Sequence, residues 1–399
     1  CSPNSYFKFA LKAVSINRLR ITFPPARHLS LIRGKLMKVS MLAKSAAVAL
    51  VFGLVASTPA HAVDLQGSGA SFPAPLIEAC KAPFAASGSG HTYTYAASSS
   101  GTGQSNSDKS IGDFWMSDGA YTAATKRASL IHVPLVAAPI AILHNLPSRN
   151  TLSLSASTIA GIFGGTITRW NDPAIIKDNN RPYDKIIYKM KNGQIVKDAN
   201  GKPVVAQTIP TTTRYTLPDK PIKVIYRSDS SGTSENFTNF LNKSASAVWT
   251  KAKSKVFKDS FPGDINAPAN LGRVVGAQSS TGVTQLAGKT PYSITYAEVN
   301  YAAANKLKIA EVINPAGNSV AAASAGVGAF LASATQDPNG FLTYDYATKE
   351  PGAYPLGIVS YLLADTAYPD KAKAAAVKAY ANFILRLLKK SLAQVAKIG

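Results

Sequence analysis

The sequence predicts an α/β protein in which the C-terminal ends of several strands face one crevice. Three segments carry this expectation, each passing from a strand-like run through a turn rich in Ser, Thr and Gly into a helix. Two apolar runs, His132 to Leu143 and Leu356 to Leu362, read as buried strands, the first passing between lobes. With 399 residues, 46% hydrophobic and 16% charged, the chain is long enough for two or three domains with a sizeable core.

The most informative of the three junctions is Tyr226-Arg227-Ser228-Asp229-Ser230-Ser231-Gly232-Thr233-Ser234-Glu235-Asn236-Phe237. Lys223-Val224-Ile225-Tyr226 is a short apolar run ending at Arg227. After Ser231-Gly232-Thr233, the residues Phe237, Phe240 and Leu241 recur at helical spacing. The first turn of such a helix leaves backbone N–H groups unpaired at the positive end of the macrodipole, so hydroxyls and a glycine there form a nest for a tetrahedral oxyanion. Arg227 adds a bidentate fork. Asp229 would repel a general anion; it makes sense as a clamp on Arg227, or as an acceptor for a proton that the ligand carries. The plainer alternative is a capped turn beside a surface ion pair. The two further junctions favour anion capture.

At the N-terminal end, residues 1–36 precede the first methionine and read as a leader or misplaced start. Met37 to Lys44 is a basic stretch, Ser45 to Ser57 an apolar one, and Ala60-His61-Ala62 a small-x-small cleavage site, so 37–62 reads as a secretory signal peptide. The apolar run is shorter than the about 20 residues that span a bilayer. The expected product is a soluble, exported protein beginning at Val63. Without residues 1–62 it keeps 34 basic and 21 acidic residues, a net charge of +13 against +22 for the whole chain. Such a balance favours acidic partners. The lysines are spread along the chain without interleaved aromatic residues, so no nucleic-acid partner is expected. Cys80 is then the one cysteine left, which excludes an intrachain disulfide; its spacing from Leu76 and Ile77 makes it a buried small hydrophobe.

Following the chain, Asp64 to Pro75 is a strand and a Gly/Ser turn before a helix over Leu76 to Phe84. Tyr93-Thr94-Tyr95 is a strand, Ser98 to Gly103 opens a polar helix toward Lys109, and Asp113 to Asp118 is a short strand ending in an acid. Ser157 to Phe163 is a short helix closed by a turn at Arg169 to Pro173. Residues 182–220 differ in texture: Lys185 to Met190, Gln194 to Lys197 and Val204 to Thr208 are strand-like, with turns at Asn192-Gly193 and Asn200-Gly201. This is an inserted β-meander whose lysines form a solvated face. A helix is expected from the central motif to about Lys253, then a Pro/Gly/Asn-rich connection, and another helix after Ser279-Ser280-Thr281-Gly282. Tyr292 to Tyr296 and Ile309 to Ile313 are strands, and Ala325 to Ala334 and Ala372 to Val395 helices.

Several chemistries are excluded. Gly288-Lys289-Thr290 lacks a correctly spaced glycine for a phosphate-binding loop, and Pro291 breaks the helix that should follow. His91, His132 and His144 show no metal spacing and there is no cysteine cluster, so neither metal nor cofactor is expected. No G-x-S-x-G elbow is present. Asp118 and Asp229 could pair as acid and base, but no metal cradle or histidine base accompanies them.

Gly67 to Pro75, Ser98 to Thr102, Asp113 to Asp118, Ile159 to Trp170 and Arg227 to Thr233, in that order and spacing, resemble the periplasmic phosphate-binding protein of the bacterial ABC phosphate-uptake system. The likeness covers nearly all of residues 63–399. It implies a two-lobed, type II periplasmic-binding-protein fold with two chain crossovers forming a hinge, near Pro139 to Leu143 and Pro355 to Leu362. One lobe would comprise 63–140 and 356–399, the other 141–355 with the insertion at 182–220. Carried over by motif, Ser71, Phe72, Ser99, Ser231, Gly232 and Thr233 would donate to phosphate oxygens. Arg227, steadied by Asp229, would pair with the anion, and Asp118 would accept a hydrogen bond from a protonated phosphate oxygen.

The resemblance further implies a non-catalytic, monomeric protein in the periplasm, or outside the cell, that hands inorganic phosphate to the membrane permease of an ABC importer. A secreted phosphatase, or a scavenging or adhesion protein built on the same crevice, is the alternative. The chain departs from the family pattern in its longer meander and in Ser279-Ser280-Thr281, where Gly and Asn are usual. It also stops at Gly399, which is expected to weaken docking of the last helix.

Overall fold

This computed structural model describes residues 62–122, 126–148, 150–192, 194–212, 215–337 and 341–387. The expected leader (1–36), all but the last residue of the expected signal peptide (37–62), Gly193 and the chain beyond Leu387 lie outside the described residues.

The first part of the chain builds three strands and two helices: β1 (Asp64–Ala70), α1 (Ala74–Ala85), β2 (Thr92–Ser98), α2 (Ser100–Asp108) and β3 (Phe114–Ser117). β1 lies parallel to and between β2 and β3. Pro75 sits in the first turn of α1, where a missing N–H costs no helical bond. Gly69 has φ 130° and a Cβ there would lie 2.3 Å from the Met116 carbonyl oxygen, so β1 and β3 approach this closely only with glycine. β4 (Leu130–His144) follows.

The next elements are β5 (Ser153–Ser155), α3 (Ala156–Gly164) and α4 (Pro173–Asn179), with Ser155 and Asp172 as the two N-caps. The inserted segment forms β6 (Pro182–Tyr188), β7 (Met190–Lys191), β8 (Gln194–Ile195) and β9 (Val205–Thr212), but as nested hairpin ladders and not the expected meander: the first strand pairs with the last, β6 with β9, and β7 pairs with β8. Lys185, Lys189, Lys191 and Lys202 are exposed along it, as a solvated face requires, while Lys197 is half-buried. The body resumes with β10 (Lys223–Arg227), α5 (Gly232–Ser244), α6 (Phe257–Ser260), β11 (Val274–Ala277) and α7 (Ser279–Lys289). Then come β12 (Ser293–Glu298), α8 (Asn300–Ala304), β13 (Lys308–Ile313), β14 (Ser319–Val320) and α9 (Ser324–Leu331). The short β15 (Thr335–Gln336) and β16 (Leu342–Thr343) pair with each other before β17 (Gly357–Asp365) and α10 (Lys371–Leu387).

One eleven-stranded sheet links these pieces in the order β11-β10-β12-β4-β17-β3-β1-β2, with β13 branching from β4 and pairing in turn with β14 and β5. β4 is its spine. From Leu130 to Pro139 it pairs with β17, and from Ile140 to His144 with β12. The partner changes between Pro139 and Ile140, beside the Ile140 N–H to Leu356 carbonyl bond of 2.8 Å.

Two cores flank that change. One packs Phe84, Tyr93, Phe114 and Tyr380 ring against ring, with Cys80 fully buried beside them and its thiol pKa pushed up to about 11 by burial. The other centres on Phe163, Phe237, Trp249, Phe257 and Tyr296. Burying each such side chain contributes roughly 1.5–3 kcal/mol.

The helix after the central motif is shorter than expected. It ends at Ser244 and does not reach Lys253. The Val248 and Trp249 N–H groups turn back onto the Ala245 carbonyl at 2.9 and 2.8 Å, which carries the Trp249 indole into the core to donate to Ser260 Oγ at 3.0 Å. Burial of that ring outweighs one more helical turn. Among the described residues no cluster of His, Cys, Asp and Glu suits a metal, and no helix is long and apolar enough to cross a membrane.

Candidate functional site

Four helices, α1, α2, α5 and α7, each start a few residues after the C-terminal end of a strand, β1, β2, β10 and β11. Their N-terminal turns meet where the two cores face each other. Ser99 caps α2 by accepting from the Thr102 N–H at 3.1 Å, and Ser231 caps α5 by accepting from the Ser234 N–H at 3.1 Å. Each cap is worth about 1 kcal/mol and leaves further N–H groups of its turn free of helical bonds.

Arg227 ends β10 and is 2% exposed. Its Nε donates to Asp229 Oδ1 at 2.7 Å and its Nη2 to Asp229 Oδ2 at 2.5 Å, which turns one edge of the guanidinium into a fixed bidentate pair. Nη1 points the other way, to Ser280 Oγ at 3.3 Å. Burial alone would lower the Arg227 pKa; the hydrogen bonds and charge of Asp229 outweigh it and raise it. Asp229 is itself anchored by the Ser279 N–H at 3.1 Å.

Asp118 follows β3 and is 3% exposed. Ser360 Oγ of β17 donates to its Oδ1 at 2.5 Å, while Thr233 Oγ1 and Ser100 Oγ reach Oδ2 at 3.3 and 3.4 Å. Burial pushes its carboxyl from 3.8 up to about 6, against the pull of Ser360, Arg227, Thr233 and Ser100. The Asn236 side chain of α5 donates to its carbonyl at 2.7 Å.

Further contacts join the two halves. The Gly101 N–H donates to the Ser230 carbonyl at 2.9 Å, and Ser71 Oγ accepts from the Ser280 N–H at 3.1 Å. A Cβ on Gly232 would lie 2.4 Å from Ser100 Oγ and 2.9 Å from Asp118 Cβ, so this approach requires glycine.

The structure thus brings Ser71, Asp118, Arg227, Ser231, Gly232 and Thr233 to one place, with Asp229 behind Arg227. Ser99 and Phe72 hold less direct positions. The Ser99 hydroxyl is engaged by its own helix, and the Phe72 ring is buried in the second core. Three residues of the site escaped the sequence reading as site residues: Ser100, Ser280 and Ser360. Ser280 carried a visible signal, because Ser279-Ser280-Thr281 before a helix repeats the signature of the other junctions. Ser360 shows only as a polar residue within the buried strand β17.

The sequence matches the PBP superfamily domain over residues 55–386. It is 33% identical over 255 residues to Phosphate-binding protein PstS 3 of Mycobacterium tuberculosis (strain ATCC 25618 / H37Rv), covering 62% of this chain and 57% of that protein. It is 31% identical over 283 residues to Phosphate-binding protein PstS of Pasteurella multocida, covering 70% and 69%. The chain therefore spans little more than half the length of that mycobacterial relative. The fold is similar to that of a phosphate-binding protein from Stenotrophomonas maltophilia, with TM-score 0.55 and 18% identity over 81% of this chain and 83% of that one. The architecture is the two-lobed, type II periplasmic-binding-protein fold. From these matches, the chain belongs to the PBP superfamily and, within it, to the PstS phosphate-binding proteins.

Proposed function

We propose that the protein binds inorganic phosphate between its lobes and delivers it to the membrane permease of an ABC phosphate importer, acting as an exported monomer without catalysis. The lobes in this reading are residues 63–140 with 356–399, and 141–355, hinged where β4 changes partner and where Leu356 leads into β17. The observation that carries the reading is the opposition of Arg227 to Asp118 within one ring of helix N-termini. Arg227 has one edge locked to Asp229 and Nη1 free of that pair. Asp118 is a buried carboxyl held by three hydroxyls.

A buried oxyanion must recover a full hydration shell. Charge-assisted hydrogen bonds of about 1.5–3 kcal/mol each do this only in number. The hydroxyls of Ser99 and Ser231, those of Ser71 and Thr233 once turned from Ser280 and Asp118, the backbone N–H groups of Phe72 and Gly232, and Arg227 supply that number. Phosphate retains a proton near neutral pH that Asp118 can accept; sulfate has none and would meet Asp118 lone pair to lone pair.

Calorimetric titration of the ligand-stripped protein with phosphate and then sulfate tests the reading. One-to-one phosphate binding without a sulfate signal is expected. Folded protein that takes up no phosphate, or that turns over a chromogenic phosphate ester, would overturn it.

A further inference from the structure

Glu298 has no part in the scheme above. It ends β12, is 5% exposed, and its two carboxyl oxygens are buried without a well-formed hydrogen bond. Its backbone pairs with Ile140, the residue at which β4 leaves β17 for β12. It therefore stands where the chain crosses between lobes. Four groups face it: Asp118 after β3, Arg227 at the end of β10 with Asp229 on its far edge, Ser280 in the first turn of α7, and Tyr301 of α8.

An ionised carboxylate is poorly sustained there. Stripping its water without replacement hydrogen bonds costs several kcal/mol, and Asp118 lies near enough to repel it. Arg227 offers little relief, because its charge is already matched by Asp229 at 2.7 and 2.5 Å. Burial first, with Asp118 adding to it, holds the Glu298 carboxyl well above the usual carboxylate range, against the pull of its own backbone N–H, Arg227 and Ser280.

That burial depends on the crevice being shut. The Tyr301 hydroxyl donates to the Ser71 carbonyl at 3.4 Å, and Ser71 meets Ser280 through both its hydroxyl and the Ser280 N–H. These contacts tie the β1–α1 turn to the elements that surround Glu298. If the lobes part, these contacts break and the carboxyl meets water again.

We infer that Glu298 is a positioning residue that couples closure on the oxyanion to proton uptake: its carboxylate takes one proton from solvent as the lobes close and returns it when they part. The inference rests on the phosphate reading. The step balances as carboxylate plus solvent proton giving carboxylic acid, and the ligand keeps the proton it shares with Asp118. Closure without this uptake would place the phosphate dianion beside two carboxylates and one already matched guanidinium. With it, Asp118 is the one carboxylate the ligand meets.

The test is calorimetric titration of the ligand-stripped protein with phosphate in several buffers of different protonation enthalpy, from neutral to mildly alkaline pH, for the wild type and Glu298→Gln. The amide has the shape of the protonated acid and cannot titrate. The wild type is expected to take up about one more proton per phosphate than Glu298→Gln, and its affinity to fall by up to about tenfold more per pH unit than that of the variant. Equal proton counts and parallel pH profiles for two proteins that both bind phosphate would overturn the inference. So would a wild type whose proton count matches the titration of the ligand alone, whether or not the variant folds. A wild type that binds no phosphate at any pH overturns the phosphate reading itself.

Discussion

Arg227 and Asp229 are joined edge to edge, Nε to Oδ1 at 2.7 Å and Nη2 to Oδ2 at 2.5 Å, with Arg227 2% exposed. The pair fixes the guanidinium plane and leaves Nη1 to reach Ser280 Oγ at 3.3 Å. Arg227→Ala is expected to abolish tight phosphate binding, since it removes the cation and leaves Asp229 uncompensated. Asp229→Asn keeps the shape and loses the charge-assisted pair, worth about 1.5–3 kcal/mol, so its affinity should fall roughly tenfold to a hundredfold. Titration of both variants checks this; an Arg227→Ala protein with normal affinity would place the site elsewhere.

Asp118 predicts how selectivity depends on pH. Its carboxyl is pushed up to about 6, so below that value it carries a proton and no longer presents only lone pairs to sulfate. Competition by sulfate should therefore grow as pH falls through about 6. Asp118→Asn should weaken phosphate binding and accept sulfate at neutral pH. A variant that still rejects sulfate would remove Asp118 from its role.

Gly232→Ala tests the fit between the lobes. The new methyl would lie 2.4 Å from Ser100 Oγ and 2.9 Å from Asp118 Cβ, contacts that force the halves apart. Overpacking of this kind costs about 1–3 kcal/mol, so phosphate affinity should fall roughly tenfold to a hundredfold. Small-angle scattering should show a more open particle with phosphate present. Unchanged scattering and affinity would mean that the approach is not needed for binding.

His132 and His144 make stability acid-sensitive. Each is buried as a neutral imidazole that accepts a backbone N–H, from Tyr121 at 3.0 Å and Leu146 at 3.2 Å. Burial pushes them down from 6.5 to about 4 and about 3, with Lys126 and Lys308 adding to the effect. Because the folded values lie below the unfolded one, the stabilisation is complete above about pH 6.5 and is lost as pH falls toward 4 and 3. It amounts to on the order of 3 kcal/mol each. Asp118, raised in the fold, acts in the opposite sense between pH 3.8 and about 6. Urea unfolding across this range should show a falling midpoint that His144→Gln flattens; parallel curves for the two proteins would refute the assignment.

The features legible in the sequence are those whose partners lie a few residues apart. Ser231 caps a turn three residues on, and Asp229 clamps an arginine two residues back, so hydroxyl, glycine and charge at fixed short spacing state the chemistry directly. The alternation of strand, polar turn and helix likewise gave the α/β class. The strands of the insertion followed from its turn residues, whereas their nested pairing and the end of α5 did not; burial of Trp249 against a distant core decided the latter.

What tertiary structure alone decided is which turns face one another. Ser280 reaches Ser71 across 209 positions, and Ser360 reaches Asp118 across 242. Neither pairing has a local signature: Ser280 meets Ser71 only when the two parts of the chain joined through β4 come together, and Ser360 meets Asp118 only because β17 returns to pair with β3. Glu298 is the clearest case. In sequence it is one acid near Ser293 and Thr295; in the fold it ends β12 as a buried carboxyl opposite Ile140, and its surroundings come from residues far away in the chain.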